Sequence, residues 1–446
     1  MRSIKSTIGG WGNYPKEEAF LYRPEKKQEV ADLLTSGELE HWISRGLGRS
    51  YGDTALNRNQ GVILQTRLNR FLSFDPESRV VECEGGVTFE EIIDVFLPRG
   101  LFLPVTPGTK YVTVGGAIAN DVHGKNHHVD GVISDHVLEM TLFLPSGEVR
   151  TCSREADADL FWATVGGIGL TGVILSAKIR LIPVDSAYID VDYQKAANLE
   201  EALDKLAATN DQYPYSVAWI DCLATGNAMG RSVLMLGKHA EGKPLAIKAK
   251  RKLTMPFHLP SFALNPLSIS AFNALYYGKF KDGSQVTVDY DSFFYPLDAI
   301  HHWNRMYGTK GFIQYQMVFP PETSREGLTK ILQMLSEAKK SSFLAVLKSF
   351  GAKGNGWLSF PRPGYTLALD IPVRGGRSFV HFIKQLDEVV LHYGGVLYLA
   401  KDALMSPDTF RQMYPEWEKF KQLKDTIDPN HLFSSSMSRR LELTED

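Results

Sequence analysis

Cysteine is scarce in this 446-residue sequence, where Cys83, Cys152 and Cys222 are the only three. Odd in number and far apart, they exclude a disulfide framework and the usual zinc spacings, so a reducing compartment is the expected setting. Long apolar runs are missing as well: no stretch reaches the ~18 uninterrupted apolar residues of a membrane-spanning helix. The opening residues, MRSIKSTIGGWGNYPKEEAF, lack the apolar core of a secretory signal. An excess of either charge is also absent. Lys and Arg total 49 against 51 Asp and Glu, a net charge of -2, which gives no electrostatic footprint for a nucleic acid. The expectation is a cytoplasmic protein, at most peripheral at the inner membrane surface.

What is present suits a folded chain. Hydrophobic residues make up 43% and charged residues 22%, and the length exceeds one ordinary core, so two domains are expected. Between Gly46 and Gly172, glycine-rich loops separate short β-branched runs at 62–65, 80–84, 137–144 and 173–182, which read as strands. Apolar residues at 89, 92, 93 and 96 predict a short helix over 89–97. Beyond about residue 186 the pattern changes. Helices are expected over 197–209, 325–340 and 379–393, the last ending at Gly394-Gly395, and strands over 311–319, 343–350 and 365–373.

One segment stands apart. Lys243, Lys248, Lys250, Arg251 and Lys252 precede MPFHLPSFALNPLSISAFNALYYGKF, an apolar stretch interrupted by Pro256, Pro260 and Pro266. The prolines argue against a single helix. A basic cluster beside an irregular apolar segment suits either an anionic membrane surface or a long loop packed over the second domain.

Three glycine loops carry the chemistry. In Gly46–Asp53 (GLGRSYGD), three glycines within seven residues let backbone N–H groups converge on one anion, and Ser50 adds a hydroxyl. In Thr106–Gly124, Pro107-Gly108 makes a turn and Gly115-Gly116-Ala117 offers bare backbone to a ligand. Two such loops point to a large phosphate-bearing cofactor. The third, Gly166–Gly172, contains a formal G-x-G-x-x-G, but a helix is expected before it and a strand after it. That is the reverse of the dinucleotide-binding order, so a nicotinamide-dependent dehydrogenase is disfavoured.

These segments resemble the flavin domain of the vanillyl-alcohol oxidase/p-cresol methylhydroxylase superfamily. GLGRSYGD, TPGTKYVTVGGAIANDVHGKNHH, FWATVGGIGLTGVI, YSVAWIDC, GFIQYQMVFP, LSFPRPGYTLALDIPV, GGVLYLAKD and MSRRLEL are similar to the decaprenylphosphoryl-β-D-ribose 2′-oxidase family across nearly the whole chain. The resemblance implies an α+β protein, a two-domain FAD-binding fold of the p-cresol methylhydroxylase type with a mixed α/β substrate domain. Residues 1–185 would bind FAD, 186–395 would form the substrate domain, and 396–446 would complete the FAD-binding domain. It implies an FAD-dependent oxidoreductase acting on CH-OH groups, oxidising the 2′-hydroxyl of a polyprenyl-phosphoryl ribose to the ketone. A short-chain dehydrogenase partner would then reduce the ketone, giving an arabinan precursor for cell-wall biosynthesis. The alternative is a soluble aldonolactone or alditol oxidase using oxygen, which has no use for the basic-apolar segment at 243–280.

By the same resemblance, Gly46, Leu47, Gly48, Arg49, Ser50, Tyr51, Gly52 and Asp53 contact FAD, together with Thr113, Val114, Gly115 and Gly116. Gly108, Asn120, Asp121, Val122, His123 and Ile174 complete that site, and Tyr398 approaches from the C-terminal segment. Lys401 in YLAKD matches the family's active-site lysine, and His123 and Tyr51 join it as catalytic candidates. The residues themselves also allow a surface lysine paired with Asp402. His123 and His127 are four apart, but Gly124 and the His127-His128 pair argue against a regular helix, so no metal site is expected. Gln314 and Gln316 share a strand face, suited to a sugar, and Lys348 suits the substrate phosphate. Thr366 and Ala368 stand where mycobacterial family members carry asparagine and cysteine, so pocket polarity and size differ there.

Sister oxidases often carry histidine at the position of Arg49 and attach flavin covalently through it. Arginine cannot make that bond, so FAD is expected to be non-covalent. Denaturing the yellow protein and passing it through a desalting column should leave the flavin absorbance entirely in the small-molecule fraction; absorbance that stays with the polypeptide would refute this.

Overall fold

The computed structural model describes residues 2–445 except 249, 261–263 and 341–343. Two sheets organise the N-terminal part. In spatial order, Ile4–Gly9, Lys16–Tyr22, Gly61–Leu64 and Trp42–Arg45 form a mixed four-stranded sheet, antiparallel at the first pair and parallel at the other two. Phe71–Asp75, Val80–Glu84, Val173–Arg180, Val137–Phe143 and Val149–Ser153 form a five-stranded antiparallel sheet. The expected helix runs over Phe89–Phe96, where the Thr88 hydroxyl accepts from Glu91 N and Phe89, Ile92, Ile93 and Phe96 are buried on one stripe. The third glycine loop lies between helix Ala158–Thr164 and strand Val173–Arg180, so the order that disfavours a dinucleotide fold is the one present.

A third sheet dominates the rest. Its eight antiparallel strands run in the order Ser284–Asp289, Tyr188–Ala196, Ser232–His239, Tyr215–Ile220, Ala345–Phe350, Gly364–Pro372, Phe312–Phe319 and Val396–Leu397. Helices Leu199–Thr209, Ser324–Glu337 and Arg377–His392 bury their apolar stripes on one face of it. Ile313, Tyr315, Met317 and Phe319 join that core, which leaves Gln314 and Gln316 on the opposite face by strand alternation. Each fully buried aliphatic or phenyl side chain here contributes roughly 1.5–3 kcal/mol relative to exposure. Position 343 of the expected strand over 343–350 lies outside the described residues.

One expectation needs correction. The basic-apolar segment contains a regular helix, Pro266–Lys279, because Pro266 sits at its first position, where the missing N–H costs nothing. The Asn265 side chain caps it, accepting from Leu267 N at 2.9 Å and Ser268 N at 3.1 Å. The one-turn helix His127–Asp130 begins only after Asn126 and ends at Gly131 at φ 68°, so His123 lies outside it and no regular helix carries both histidines.

After Val396–Leu397 the chain returns to the N-terminal part through helices Pro407–Met413, Trp417–Ile427 and Ser436–Arg440. The return is tied to the first sheet by Trp42 N donating to Leu432 O at 2.7 Å and Ser434 N to Trp42 O at 3.0 Å. Arg440 locks it. Its Nε and Nη2 donate to the two Asp53 oxygens at 2.9 and 2.7 Å, Nη2 also reaches Asp402 Oδ2 at 2.9 Å, and Nη1 reaches Met405 O at 2.6 Å. Both carboxylates are almost wholly buried, 6% and 7% exposed, so each depends on this one guanidinium for charge compensation.

Arg440→Met should therefore cost about 3–5 kcal/mol in urea unfolding, the scale for breaking a buried ion pair from one side. Arg440→Lys should recover only part of it, because a lysine cannot reproduce the two-pronged contact. An unchanged urea midpoint for the methionine variant would contradict this.

Candidate active site

The free face of the eight-stranded sheet faces the glycine loops across a cavity of about 490 Å³. Gly46 through Tyr51 form one wall, and Gly108, Thr113, Gly115, Gly116, Asn120, Val122, His123 and Ile174 continue it. Gly48 adopts φ 66°, a left-handed conformation that favours glycine. Thr113 caps helix Val114–Ala119 through Gly116 N at 3.3 Å. Tyr398, Lys401, Gln314, Gln316, Lys348 and Ala368 border the cavity from the sheet and the turn after it.

The remaining predicted residues lie behind the wall. Gly52 is pressed against the Asp402 backbone, where a Cβ would collide with the carbonyl. Asp53 is taken up by Arg440. Val114 is packed in the apolar core, and Asp121 accepts from the Ser359 hydroxyl and from Ser134 N at 3.4 Å. Thr366 shares its strand face with Ala368, but Gln316 lies over it: Gln316 Nε2 donates to Thr366 Oγ1 at 3.2 Å, and Thr366 donates to Met317 O at 2.8 Å.

Polar side chains around Lys401 form a connected set. Its Nζ lies 4.0 Å from the Tyr51 ring centroid, and its sequence neighbour Asp402 pairs with Arg440 instead. Gln314 Nε2 donates to Asp370 Oδ1 at 2.7 Å and to the Tyr51 hydroxyl at 3.3 Å, while Tyr307 donates to Asp370 Oδ2 at 3.2 Å. Gln316 Nε2 donates to His123 Nε2 at 3.1 Å, and Tyr398 donates to Asn120 O at 2.6 Å. Burial holds His123 well below the ordinary imidazole value, with Lys348, His127 and Lys401 adding to the shift, so the ring is neutral. Burial pushes Asp370 up to about 7.

Three lysines set the electrostatics. Lys125, Lys348 and Lys401 are each half-buried, and all three border the cavity. None forms an ion pair among the described residues. Burial lowers Lys125 to about 7, with Lys348 adding repulsion, and lowers Lys348 to about 8. Burial also lowers Lys401 to about 7, against the pull of Asp370. Positive charge gathered in a cleft without an ion-pair partner suits an anion.

Beyond these lysines the lining turns apolar: Val217, Trp219, Met235, Tyr276, Phe280 and Phe293. Sequence reasoning missed this arm, along with Lys125, Asp370 and Trp11. Asp370 lies two residues from Ala368, so strand alternation alone could have found it. Lys125 sits inside HGKNHH, between residues that were singled out. Trp11, whose ring lies 3.8 Å from the Arg49 guanidinium carbon, had no local signal.

Comparison with known proteins agrees with this geometry. Residues 19–153 match the FAD binding domain family, and residues 314–441 match the D-arabinono-1,4-lactone oxidase family. The chain is 37% identical to decaprenylphosphoryl-beta-D-ribose oxidase of Mycolicibacterium smegmatis over 97% of each chain. It is 22% identical to L-gulono-1,4-lactone dehydrogenase of Mycobacterium tuberculosis over 97% of this chain and 98% of that one. L-gulonolactone oxidase of Mus musculus is 27% identical over 42% of this chain and 41% of its own.

The cavity fits a flavin dinucleotide. Ser44 Oγ, Arg49 Nε, Asn120 Oδ1 and His123 Nδ1 are buried on residues of its wall and have no partner among the described residues. Such groups are costly unless a ligand satisfies them.

The lysines also set a pH dependence. Between about pH 7 and about pH 9 the unfolded chain keeps these three protons while the folded state sheds them, so stability rises with pH across that window. Asp370 and Asp387, raised to about 7, and Asp121, raised to about 6, act oppositely below it. Calorimetry should show a melting temperature that climbs above neutrality, with a smaller climb in Lys348→Met. An equal climb in that variant would remove Lys348 as a source.

Proposed function

This chain belongs to the family of FAD-linked oxidases that includes decaprenylphosphoryl-β-D-ribose oxidase, and from that premise we propose that it oxidises the 2′-hydroxyl of a polyprenyl-phosphoryl-β-D-ribose to the 2′-ketone. One observation carries the substrate reading: a single cavity joins uncompensated lysines to an apolar arm. A phosphate carrying a prenyl chain satisfies both. A lactone, the substrate suggested by the match over residues 314–441, supplies neither.

The loop residues Gly46–Tyr51, with Gly108, Thr113, Gly115, Gly116, Asn120, Val122, His123, Ile174 and Tyr398, would hold FAD without a covalent bond. In this reading, residues 1–185 and 396–446 bind the cofactor and 186–395 receive the substrate. When bound, FAD supplies the two-electron oxidation by accepting a hydride from the carbinol carbon. Gln314 and Gln316 orient the sugar, and Lys348 with Lys125 holds the phosphate. Neutral His123 orients the reacting hydroxyl. Lys401, with a pKa of about 7, takes the hydroxyl proton and so becomes a cation where negative charge gathers. A short-chain dehydrogenase partner would reduce the ketone, completing an epimerisation. No helix among the described residues is long and apolar enough to cross a membrane, so we place the enzyme peripherally at the inner surface of the membrane that holds its substrate.

Anaerobic addition of polyprenyl-phosphoryl ribose should bleach the flavin absorbance, whereas free pentoses and lactones should not. Lys401→Ala should slow that bleaching by roughly 10²–10³-fold, the scale for removing one preorganised group. Bleaching by a lactone, or a Lys401→Ala rate near that of the unaltered protein, would overturn the reading.

A further inference from the structure

The helix Pro266–Lys279 has two different faces. Ile269 and Asn273 are buried, and Asn273 Nδ2 donates to Asp221 Oδ1 at 2.7 Å. Tyr276, whose ring centroid lies 4.8 Å from that of Trp219, lines the apolar arm of the cavity, as does Phe280 just beyond the helix. The opposite side carries Leu267, Ala271, Ala274, Leu275 and Gly278, spaced at i, i+4, i+7, i+8 and i+11, and every one of them is exposed. Leu267 is 83% exposed and Leu275 is 76% exposed, the two highest values among the large apolar side chains. No charged residue occurs in the helix before Lys279. A helix that offers an apolar stripe to solvent is unpartnered as it stands.

The surrounding charge is of one sign. Between Glu241 and Asp282 the sequence holds seven Lys and Arg residues and no Asp or Glu. Lys248, Arg251, Lys279 and Lys281 are exposed. They flank the edge strand Ser284–Asp289: Lys250 bonds Asp289 at one end, Lys279 and Lys281 stand just before the other, and Val286 between them is 43% exposed. The two nearby acids are engaged, Asp289 with Lys250 and Asp282 as acceptor for Lys195 N at 2.7 Å. Leu253 and Phe257, within the same basic-apolar segment, are 63% and 62% exposed.

We propose that the outer face of helix Pro266–Lys279, rimmed by this basic segment, docks on an anionic lipid bilayer and sets the apolar arm of the cavity against the membrane. The proposal deepens the polyprenyl-phosphate reading and rests on it: the same helix is wall to the cavity on one side and contact to the lipid on the other. An apolar stripe between cations is the pattern by which an interfacial helix sinks its leucines into the acyl boundary while its lysines meet anionic headgroups. A substrate tail then passes from bilayer to arm along the helix without crossing water.

The test is flotation of the FAD-loaded full chain with vesicles of phosphatidylcholine alone, or containing about one third phosphatidylglycerol. The protein should float with the anionic vesicles and stay behind with the neutral ones. Combined Leu267→Asp and Leu275→Asp should weaken that partition about a hundredfold, with an unchanged flavin spectrum and unchanged turnover on detergent-dispersed substrate. Lys248→Glu with Arg251→Glu should weaken it with the same two controls intact. Wild-type protein that floats with neither vesicle, or a leucine variant that floats like wild type, would overturn the proposal. So would leucine variants that turn a dimer into a monomer in the ultracentrifuge without altering flotation, since the stripe would then belong to a second copy. Flotation as expected without bleaching by polyprenyl-phosphoryl ribose would sink the substrate reading and leave the surface standing; bleaching without flotation would do the reverse.

Discussion

The guanidinium of Arg440 is the contact on which the site depends. It reaches Asp53 at the end of the first glycine loop and Asp402 in the turn that presents Lys401, two segments about 350 residues apart in sequence. Asp402 passes the constraint on, accepting from Leu404 N at 3.0 Å and Met405 N at 2.9 Å to shape that turn. Tyr51 N donates to Ala400 O at 2.9 Å, and Gly52 has no side chain to hold the strands of this contact apart. One buried cation therefore fixes the distance between the loop expected to hold the cofactor and the lysine expected to act beside it. A buried ion pair of this kind is weak evidence for net stability. Its consequence is registration, because neither carboxylate can move without stranding a charge.

The cavity above that clamp is under the opposite condition. Lys125, Lys348 and Lys401 have no ion-pair partner among the described residues, and Asp370, the buried acid that attracts Lys401, is itself shifted toward neutrality at about 7. The fold thus tolerates unfavourable charge at its functional centre and compensates elsewhere, in the helix-backed core of the eight-stranded sheet. The polarity gradient along that sheet follows from strand alternation. The face that carries Gln314, Gln316 and Lys348 at one end carries Val217, Trp219 and Met235 toward the other, so one surface is polar at one end and apolar at the other.

How much of this was legible in the sequence follows from the range of each signal. The helix over Phe89–Phe96 and the strand carrying Gln314 and Gln316 rest on periodicity within ten residues, and both were visible. The glycine loops were visible because backbone freedom is a property of the residue itself. Arg440 was not, although MSRRLEL was noted, because its meaning lies in residues 38 and 387 positions away. The helix Pro266–Lys279 was misread because three prolines were weighed together. Only the placement of Pro266, after a capping asparagine, distinguishes a helix start from a break. Asp370 and Lys125 sat beside residues already chosen, and what gathers around each, Gln314 and Tyr307 on Asp370 and the repulsion of Lys348 on Lys125, is a tertiary fact.

Arg49 stands in the same glycine loop that Arg440 anchors through Asp53. Where related oxidases carry a linking histidine, this chain has a guanidinium stacked 3.8 Å from the Trp11 ring centroid and 5.2 Å from that of Tyr111. Held between aromatic faces and far from the reactivity of an imidazole, it can hydrogen-bond a cofactor but not bond it covalently. A flavin without that bond, as the sequence leads one to expect, would be retained by shape: close approach of glycine backbone, donors such as Ser44 Oγ and Arg49 Nε with no partner among the described residues, and the C-terminal segment behind the loop. Each of these works only if the first glycine loop keeps its place relative to the turn at 398–405. A covalent tether would tolerate some slack in that relation. Without one, the two-carboxylate grip of Arg440 is what keeps the loop and the turn in register.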